Sequence, residues 1–414
     1  MIRNPAKLAE LETVRGVAAL VVLVHHSLLG FAPRLEGLFF PAERFGLFGT
    51  PLYAIVNGSA AVTLFFVLSG FVLTYRAIGA QNSSGLGLAA LKRWPRLAGP
   101  VVIVSLASGL LVWAGMYANQ PAAEISRSTW LKWWFASYPY SAVPPLAALE
   151  EGLLGTFLDG RNYFNSNLWT MYYEFFGSFL VLGLALVIVE LKRPRLSILL
   201  SAGLFILTLY QARLFAPFIG GVIAAQIYSL HVFHRVRLGG GPALLVAAAA
   251  FLLFGFRESI DGSKAFGFYA VLNQVQGMPL ATVAVLLHTI GALLLMWLIT
   301  ACAPCKRLFS SRIGLWLGRM SFPIYLTHLL VICTIGSSIF VALKPYLPHA
   351  VAVALTISVV FGITLTVSYP LALFDSVWVR FISQGLVRLP GAPLSSPMLP
   401  RERSQDARPR ARYW

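Results

Sequence analysis

The 414-residue sequence is poor in charged residues. They make up 11% of the chain, whereas about a quarter is usual in a soluble domain, and 58% of the residues are hydrophobic. This scarcity excludes an ordinary water-soluble fold. Apolar stretches such as 14–31, 168–189 and 280–300 are long enough to cross a hydrocarbon core of ~30 Å at ~1.5 Å per residue. The sequence therefore predicts an integral membrane protein.

Acidic residues are scarcer than basic ones. The chain has 15 Asp and Glu against 32 Lys and Arg, which gives a net charge of +17. A nucleic-acid-binding protein gathers its basic residues on one accessible face, whereas here they lie between apolar stretches. We therefore expect no nucleic-acid partner.

Cysteine is also scarce, with only three residues in the chain. Cys302 and Cys305 form a Cys-Ala-Pro-Cys run, and Cys333 lies in an apolar stretch. Neither further ligands nor alternating strands and helices accompany the pair, so we interpret it as a helix end rather than a redox or metal site. We expect no metal and no permanently bound cofactor. The first apolar run lacks a small-x-small cleavage site, so a removable signal peptide is not expected either.

Apolar windows between polar or Gly and Pro breaks predict an all-α bundle of about ten spanning helices. Their approximate bounds are 14–31, 57–75, 97–118, 168–190, 196–211, 214–233, 242–256, 280–302, 316–342 and 350–374. An even number places both termini on one side of the membrane. Most Lys and Arg residues fall on that side, so the termini are predicted to be cytoplasmic.

The remaining segments are polar or mixed. The outer loop at about 119–167 is rich in Trp, Tyr and Pro and is predicted to lie partly along the membrane interface. Residues 389–414 form a Pro-, Arg- and Ser-rich tail without apolar periodicity, which predicts disorder. Residues 1–388 are therefore expected to form a single transmembrane domain.

Ionisable side chains inside the predicted spans are few. A charge at mid-bilayer costs at least ~2.5–3.5 kcal/mol, so each such group indicates a partner or a function. We interpret His288 as an interior histidine with satisfied hydrogen bonds. The full set is His25, His26, Glu174, His288 and His328.

The spacing of these groups predicts a pair. Arg15 and His26 are eleven residues apart, and steps of ~100° place both on one helical face with His25 turned away. Glu174 lies ~10 Å inside the outer end of the fourth span, at a depth close to that of His26. We therefore predict that His26 and Glu174 are partners. They form either a structural pair or a general base whose tautomer the carboxylate fixes.

A basic cluster falls at the predicted cytoplasmic ends of the first and third spans, at Arg15, Lys92, Arg93 and Arg96. Guanidinium groups bind phosphates through paired hydrogen bonds, and Arg93 and Arg96 share a face at i, i+3 spacing. These residues are either a phosphate-binding site or positive anchors of the membrane topology.

Two smaller polar features accompany them. Ser69 precedes Gly70 without an adjacent base, which favours close helix packing over a nucleophilic role. Ser321, Tyr325 and His328 form one stripe on the ninth span, which either lines a substrate path or bonds to neighbouring helices.

Five ordered segments resemble the acyltransferase-3 family of membrane O-acyltransferases. Two departures accompany the resemblance: Thr63 stands where family members commonly have an acidic residue, and Arg96-Leu97-Ala98-Gly99-Pro100 replaces the usual Arg-Leu-x-Pro run. The five segments are Arg15-Gly-Val-Ala-Ala-Leu with His26, Phe65-Phe-Val-Leu-Ser-Gly-Phe71, Lys92-Arg-Trp-Pro-Arg-Leu97, Leu168-Trp-Thr-Met-Tyr-Tyr-Glu-Phe175 and Leu317-Gly-Arg-Met-Ser-Phe-Pro-Ile-Tyr-Leu-Thr-His328.

The resemblance implies transfer of an acyl group, often acetyl from acetyl-CoA, to a hydroxyl of a sugar or another acceptor. In that hypothesis His26, oriented by Glu174, is the general base, and Arg15, Arg93 and Arg96 bind acyl-CoA as co-substrate. The supporting pocket residues are Ser69, Trp169, Ser321, Tyr325 and His328. Some relatives carry a fused extracytoplasmic hydrolase-like domain, which we do not expect in this chain.

Two other classes stay open. A proton-coupled transporter or flippase would use the buried His and Glu as a relay, although the sequence lacks obvious inverted repeats. A membrane scaffold would leave those groups without a purpose. The expected partners are membrane lipid, acyl-CoA and a hydroxylated acceptor, and the expected location is a bacterial cytoplasmic (inner) membrane.

Overall fold

The computed structural model describes residues 8–39, 46–133, 145–230, 237–258, 267–274 and 277–387. All regular secondary structure in these ranges is helical. The main helices are α1 (Ala9–Phe31), α2 (Gly58–Ala80), α3 (Arg93–Trp113), α4 (Trp169–Leu191), α5 (Pro194–Gln211), α6 (Ala216–Ser229), α7 (Gly240–Phe254), α8 (Leu280–Ala301), α9 (Arg312–Val331) and α10 (His349–Val387).

Short helical segments connect or extend them. The α-helical ones are Pro33–Glu36, Leu86–Leu91, Asn119–Ser126, Thr129–Trp133, Pro145–Glu150, Thr156–Leu158, Phe268–Leu272, Ala303–Phe309 and Ser337–Leu343. The 3₁₀ turns are Pro51–Ile55, Ser166–Leu168 and Arg213–Phe215, and the π-helical turns are Glu151–Gly155 and Ile332–Gly336.

Within the described ranges, eight helical spans are long and apolar enough to cross a membrane. Three of them extend a main helix, as Leu86–Trp113, Ser166–Leu191 and Arg312–Leu343. The predicted spans 214–233 and 242–256 correspond to the shorter α6 and α7, of 14 and 15 residues. The all-α, polytopic prediction is confirmed. The side on which the termini lie stays a prediction, and the predicted tail lies outside the described residues.

Glycines allow two helix pairs to approach closely. α1 lies along α9, and α2 lies along α6. A Cβ on Gly70 of α2 would collide with the backbone carbonyl of Phe218 in α6, and a Cβ on Gly318 of α9 would collide with the carbonyl of Glu12 in α1. Small residues are what permit such contacts between membrane helices. These two pairs form the frame around the site.

The first part of the predicted interfacial loop folds over the C-terminal ends of α1 and α9. The Ala118 N–H donates to the Cys333 carbonyl (3.0 Å), and the Ser128 hydroxyl donates to the Leu29 carbonyl (2.6 Å). Residues 134–144 lie outside the described ranges. The loop therefore places the segment Thr129–Trp133 beside the C-terminal half of α1.

The Cys-Ala-Pro-Cys run is a helix end, as predicted. Cys302 follows the last residue of α8, and Cys305 lies in the short helix Ala303–Phe309 that comes next.

Candidate active site

Two cavities of about 330 Å³ each open between the helices. We call one the arginine cavity; its charged lining residues are Glu12, Arg15, Arg93, Arg96, Glu174, Arg319 and Asp375. We call the other the histidine cavity; its polar and aromatic lining residues are His25, His26, Ser59, Thr63, Trp169, Arg213, Arg257, Glu258, His288 and Tyr325. Val62 and Tyr325 line both cavities. Volumes of this order suit small-molecule ligands.

Most of the candidate residues from the sequence fall into these cavities. Trp169 and His26 line the histidine cavity. The arginine cavity brings together Arg15, Ser69, Arg93, Arg96, Glu174, Ser321 and Tyr325. The candidate residues thus line two adjoining cavities, except His328, which lines neither.

Glu174 is held by two donors in the arginine cavity. An Nη2–H of Arg93 and the hydroxyl of Ser69 both donate to its Oε1, each at 2.6 Å. The side chains of Arg93 and Glu174 are 7% and 17% exposed, so the ion pair is largely shielded from water. Hydrogen bonds between charged groups are short and strong in such surroundings. Ser69 is therefore more than a packing residue.

This arrangement corrects the predicted pairing of Glu174 with His26. The third span was expected to begin near residue 97, which would leave Arg93 at the membrane edge. The span instead begins at Leu86, so Arg93 lies inside it and reaches Glu174. A buried carboxylate takes the nearest cation, and the neutral imidazole of His26 has a different partner.

That partner is His328. Nδ1 of His26 lies 2.8 Å from Nε2 of His328, and Nδ1 of His328 lies 3.1 Å from the carbonyl oxygen of Ile324. A carbonyl only accepts, so Nδ1 of His328 carries its proton and Nε2 of a neutral His328 accepts from Nδ1–H of His26. The lone pair of a neutral His26 then lies on Nε2. This is the protonation state that a general base needs.

Trp130 packs against the ring of His26. Its ring stacks on the imidazole with centroids 5.0 Å apart and planes inclined by 14°. Trp130 belongs to the connection between α3 and α4, so the periodicity of α1 could not have predicted this contact. The stacked indole restrains the ring plane of His26.

The prediction that Arg15 and His26 share one face of α1, with His25 turned away, only partly describes the site. Arg15 and His26 line different cavities, and His25 lines the histidine cavity beside His26 instead of turning away. The short helix Pro33–Glu36 lies beside α1 and brings Oε1 of Glu36 within 3.4 Å of Nδ1 of His25.

A family model described as an acyltransferase domain, of the acyltransferase-3 family, matches residues 8–373. The chain belongs to the acyltransferase-3 family. It is also similar to the O-acetyltransferase PaAT-1 of Phomopsis amygdali, with 25% identity over 386 residues that cover 80% of this chain and 74% of that protein. No solved structure matches. The family resemblance of the five sequence segments is thereby confirmed, and the protein is a membrane O-acyltransferase.

In this acyltransferase Glu36 forms a buried anchor next to the site. Tyr53 donates to its Oε1 at 2.5 Å, and the Leu38 N–H donates to its Oε2 at 2.8 Å. Burial raises the pKa of the Glu36 carboxyl, but the neighbouring His25 and the bonds from Tyr53 and Leu38 outweigh burial and hold this pKa below its ordinary value. Glu36 therefore stays ionised beside His25.

Tyr325 forms the wall between the two cavities of the acyltransferase. Its hydroxyl donates to the Asn167 carbonyl (2.9 Å) and lies 2.8 Å from the Thr170 hydroxyl. The predicted stripe on α9 thus has separate partners: Ser321 lines the arginine cavity, Tyr325 bonds to the start of α4, and His328 bonds to His26.

His288 is a satisfied interior histidine, as predicted. Its Nε2 lies 2.7 Å from the Phe256 carbonyl, so this nitrogen carries the proton. The Asn57 side chain donates to the carbonyls of Phe254 and Phe256 next to it. The imidazole ties α8 to the end of α7.

Three charged residues of the arginine cavity, Glu12, Arg319 and Asp375, were not among the candidates from the sequence. Arg319 lies within the segment 317–328 that carries the family resemblance, but no role was predicted for it. Asp375 directly follows the predicted end of the last span, but α10 continues to Val387 and carries Asp375 into the cavity wall. The only indication in the sequence that Asp375 belongs to the site was its position directly after the predicted end of a span.

Proposed function

We propose that this acyltransferase moves an acyl group, acetyl in the first instance, from acyl-CoA to a hydroxyl group of an acceptor, with His26 as general base. The observation that best supports this proposal is that two cavities share Val62 and Tyr325 in their walls. One cavity is rich in arginine, and the other is lined by His26. A donor entering from one cavity and an acceptor entering from the other would meet at this common wall.

The donor would occupy the arginine cavity. Arg96 and Arg319 are exposed to it, and Arg15 is half-buried. Their guanidinium forks suit the phosphates of CoA. Arg93 has a different part, because its bond to Glu174 commits the guanidinium to the cavity wall. In this proposal Arg93 and Glu174 shape the cavity, and Arg15, Arg96 and Arg319 bind phosphate.

The chemical step would take place at Nε2 of His26. The acceptor hydroxyl gives its proton to this nitrogen while its oxygen attacks the thioester carbonyl carbon. The tetrahedral intermediate collapses, the carbon–sulfur bond breaks, and the CoA thiolate takes the proton from His26. His328 holds the reacting tautomer throughout, because Nε2 of His328 accepts from Nδ1–H of His26. No acyl-enzyme is needed.

The proposed orientation follows from the basic residues. If both termini are cytoplasmic, the arginine cavity faces the compartment that contains CoA, and the histidine cavity opens towards the outer loops. We propose a bacterial cytoplasmic membrane as the location. Reporter fusions after Arg195 or Arg237 should read as cytoplasmic, and a fusion in 119–133 as extracytoplasmic. The reverse pattern would place the acyl donor on the wrong side.

The function is tested by its product. Glycans and metabolites from cells with and without the protein are compared by mass spectrometry for species that carry one extra acetyl group. Treatment with mild base separates an O-acetyl ester, which is cleaved, from an N-acetyl amide, which is not. We expect such esters with wild-type protein and with His349→Gln, whose side chain lines neither cavity, and not with His26→Ala. Identical products in the presence and absence of the protein would refute the proposal.

A further inference from the structure

Part of the histidine cavity is built from arginine. Arg213 lies in the 3₁₀ turn Arg213–Phe215 between α5 and α6, and Arg257 follows α7. Both line the cavity that contains His26. Glu258 is the only carboxylate among its lining residues within the described chain. Two guanidinium groups against one carboxylate leave this wall with a net positive charge.

The charged groups of this wall are poorly paired with each other. Nε of Arg257 and Oε2 of Glu258 are 3.7 Å apart, which is too long for a hydrogen bond. Both atoms are buried, and neither has a hydrogen-bond partner among the residues that the structure describes. Arg213 is exposed and forms no ion pair with any residue in the same ranges. A buried polar atom without a partner is destabilising, so a ligand that supplies partners is favoured here.

We infer that the acceptor acylated by this enzyme is a hydroxyl compound that also carries a carboxylate or phosphate group, which Arg213 and Arg257 bind. The inference rests on the proposed function, because it assigns the histidine cavity to the acceptor. Guanidinium groups bind either anion through paired, charge-assisted hydrogen bonds.

The geometry brings recognition and reaction together. Arg213, Arg257 and His26 all line one cavity of about 330 Å³, so a small ligand held at the arginines lies within reach of the base. Trp169 adds an apolar surface to the same cavity. A neutral acceptor would leave the arginines unpaired, which provides discrimination against it.

Three sugars that differ only at carbon 6 test this inference: methyl glucoside, methyl glucuronide and methyl glucoside 6-phosphate. Their Kd values are measured by calorimetry on the full-length protein in phosphatidylcholine nanodiscs. We expect at least one charged sugar to bind roughly tenfold or more tightly than the neutral one, since one charge-assisted hydrogen bond contributes ~1.5–3 kcal/mol. Whether the glucuronide or the phosphate is preferred identifies the anion.

Variants assign the preference to the two arginines. The double variant Arg213→Gln/Arg257→Gln should bring the three sugars to within about threefold of one another. Arg127→Gln is the matched control, because Arg127 belongs to an outer loop and lines neither cavity. If the double variant does not fold, the salt dependence of sugar binding to the wild type still tests the inference. Its preference for the charged sugar should shrink as salt rises from about 0.05 to 0.5 M.

The inference is overturned if the neutral sugar binds as tightly as the charged ones, if no charged sugar binds, or if the preference survives in the folded double variant. A titration with acetyl-CoA on the same samples keeps this result separate from the proposed function. Normal acetyl-CoA binding without an anion preference refutes only the acceptor class. Failure of the wild type to bind acetyl-CoA refutes the donor assignment whatever the sugars do.

Discussion

His26 and His328 lie 302 positions apart in the chain, yet Nδ1 of the first is 2.8 Å from Nε2 of the second. Their rings are nearly parallel, with centroids 5.1 Å apart and planes inclined by 17°. His328 is fully buried and is itself fixed by the Ile324 carbonyl. The proposed base of this acyltransferase is therefore oriented by a second histidine, in a position where a carboxylate was expected.

Replacing His328 should impair turnover more than binding. His328→Ala removes the acceptor for Nδ1–H of His26, so both the tautomer and the ring orientation become free. We expect kcat to fall by roughly 10- to 100-fold, with the KM for acetyl-CoA little changed. His328→Gln should restore part of the rate, because its amide oxygen can accept the same proton. An equal fall in kcat in the two variants would contradict a positioning role for His328. A higher KM for acetyl-CoA with an unchanged kcat would contradict it as well.

Replacing Arg96 should weaken donor binding. Its guanidinium is exposed to the arginine cavity, and the loss of a phosphate contact affects ground and transition states alike. Arg96→Ala should raise the KM for acetyl-CoA by about tenfold while kcat at saturation changes little, and Arg96→Lys should recover only part of the affinity. Arg195→Ala, at the start of α5 and away from both cavities, is the control. An unchanged KM in Arg96→Ala would make Arg96 a topology anchor.

Breaking the ion pair between Arg93 and Glu174 should destabilise the fold. Arg93→Met or Glu174→Leu alone leaves one charge buried without its partner, at a cost of ~3–5 kcal/mol. The double variant removes both charges and should be more stable than either single variant. Thermal unfolding of the four proteins in one detergent gives the coupling energy between the two positions. Additive losses would show that the contact contributes nothing to stability.

The Glu36 anchor predicts a pH-dependent contribution to stability. The folded-state pKa of Glu36 is below its ordinary value of 4.5, so its contribution is complete above that pH and is lost as pH falls through the folded-state value. Glu36→Gln should lower the Tm at neutral pH, and the difference from wild type should shrink below about pH 4.5. Glu124→Gln, at an exposed outer position, controls for general charge effects. A constant Tm difference at every pH would contradict the assignment.

The sequence alone predicted most of the helices of the bundle and the grouping of its arginines. Long apolar runs show where helices cross the membrane, because no other backbone structure satisfies its hydrogen bonds there apart from a closed barrel. The spacing of Arg93 and Arg96 likewise placed both in one cavity. These properties are local to a helix, so its own residues determine them.

Partner choice could not be read in the same way. Equal depth suggested that His26 meets Glu174, but depth does not specify which helices are neighbours across the bundle. The early start of the third span gave Glu174 a cation instead. Trp130 reaches His26 from a loop, and Asp375 enters the arginine cavity because α10 is longer than its apolar run. Such contacts depend on tertiary packing.

In the proposed mechanism His26 performs the chemistry without binding the donor. The most direct measurement is the steady-state kinetics of acetyl transfer from labelled acetyl-CoA, for wild-type protein and His26→Ala in nanodiscs, with folding checked by size-exclusion profile. We predict a fall in kcat of ~10²–10⁴-fold for His26→Ala, with acetyl-CoA affinity close to that of wild type and His349→Gln fully active. A folded His26→Ala protein that retains wild-type turnover would contradict the account.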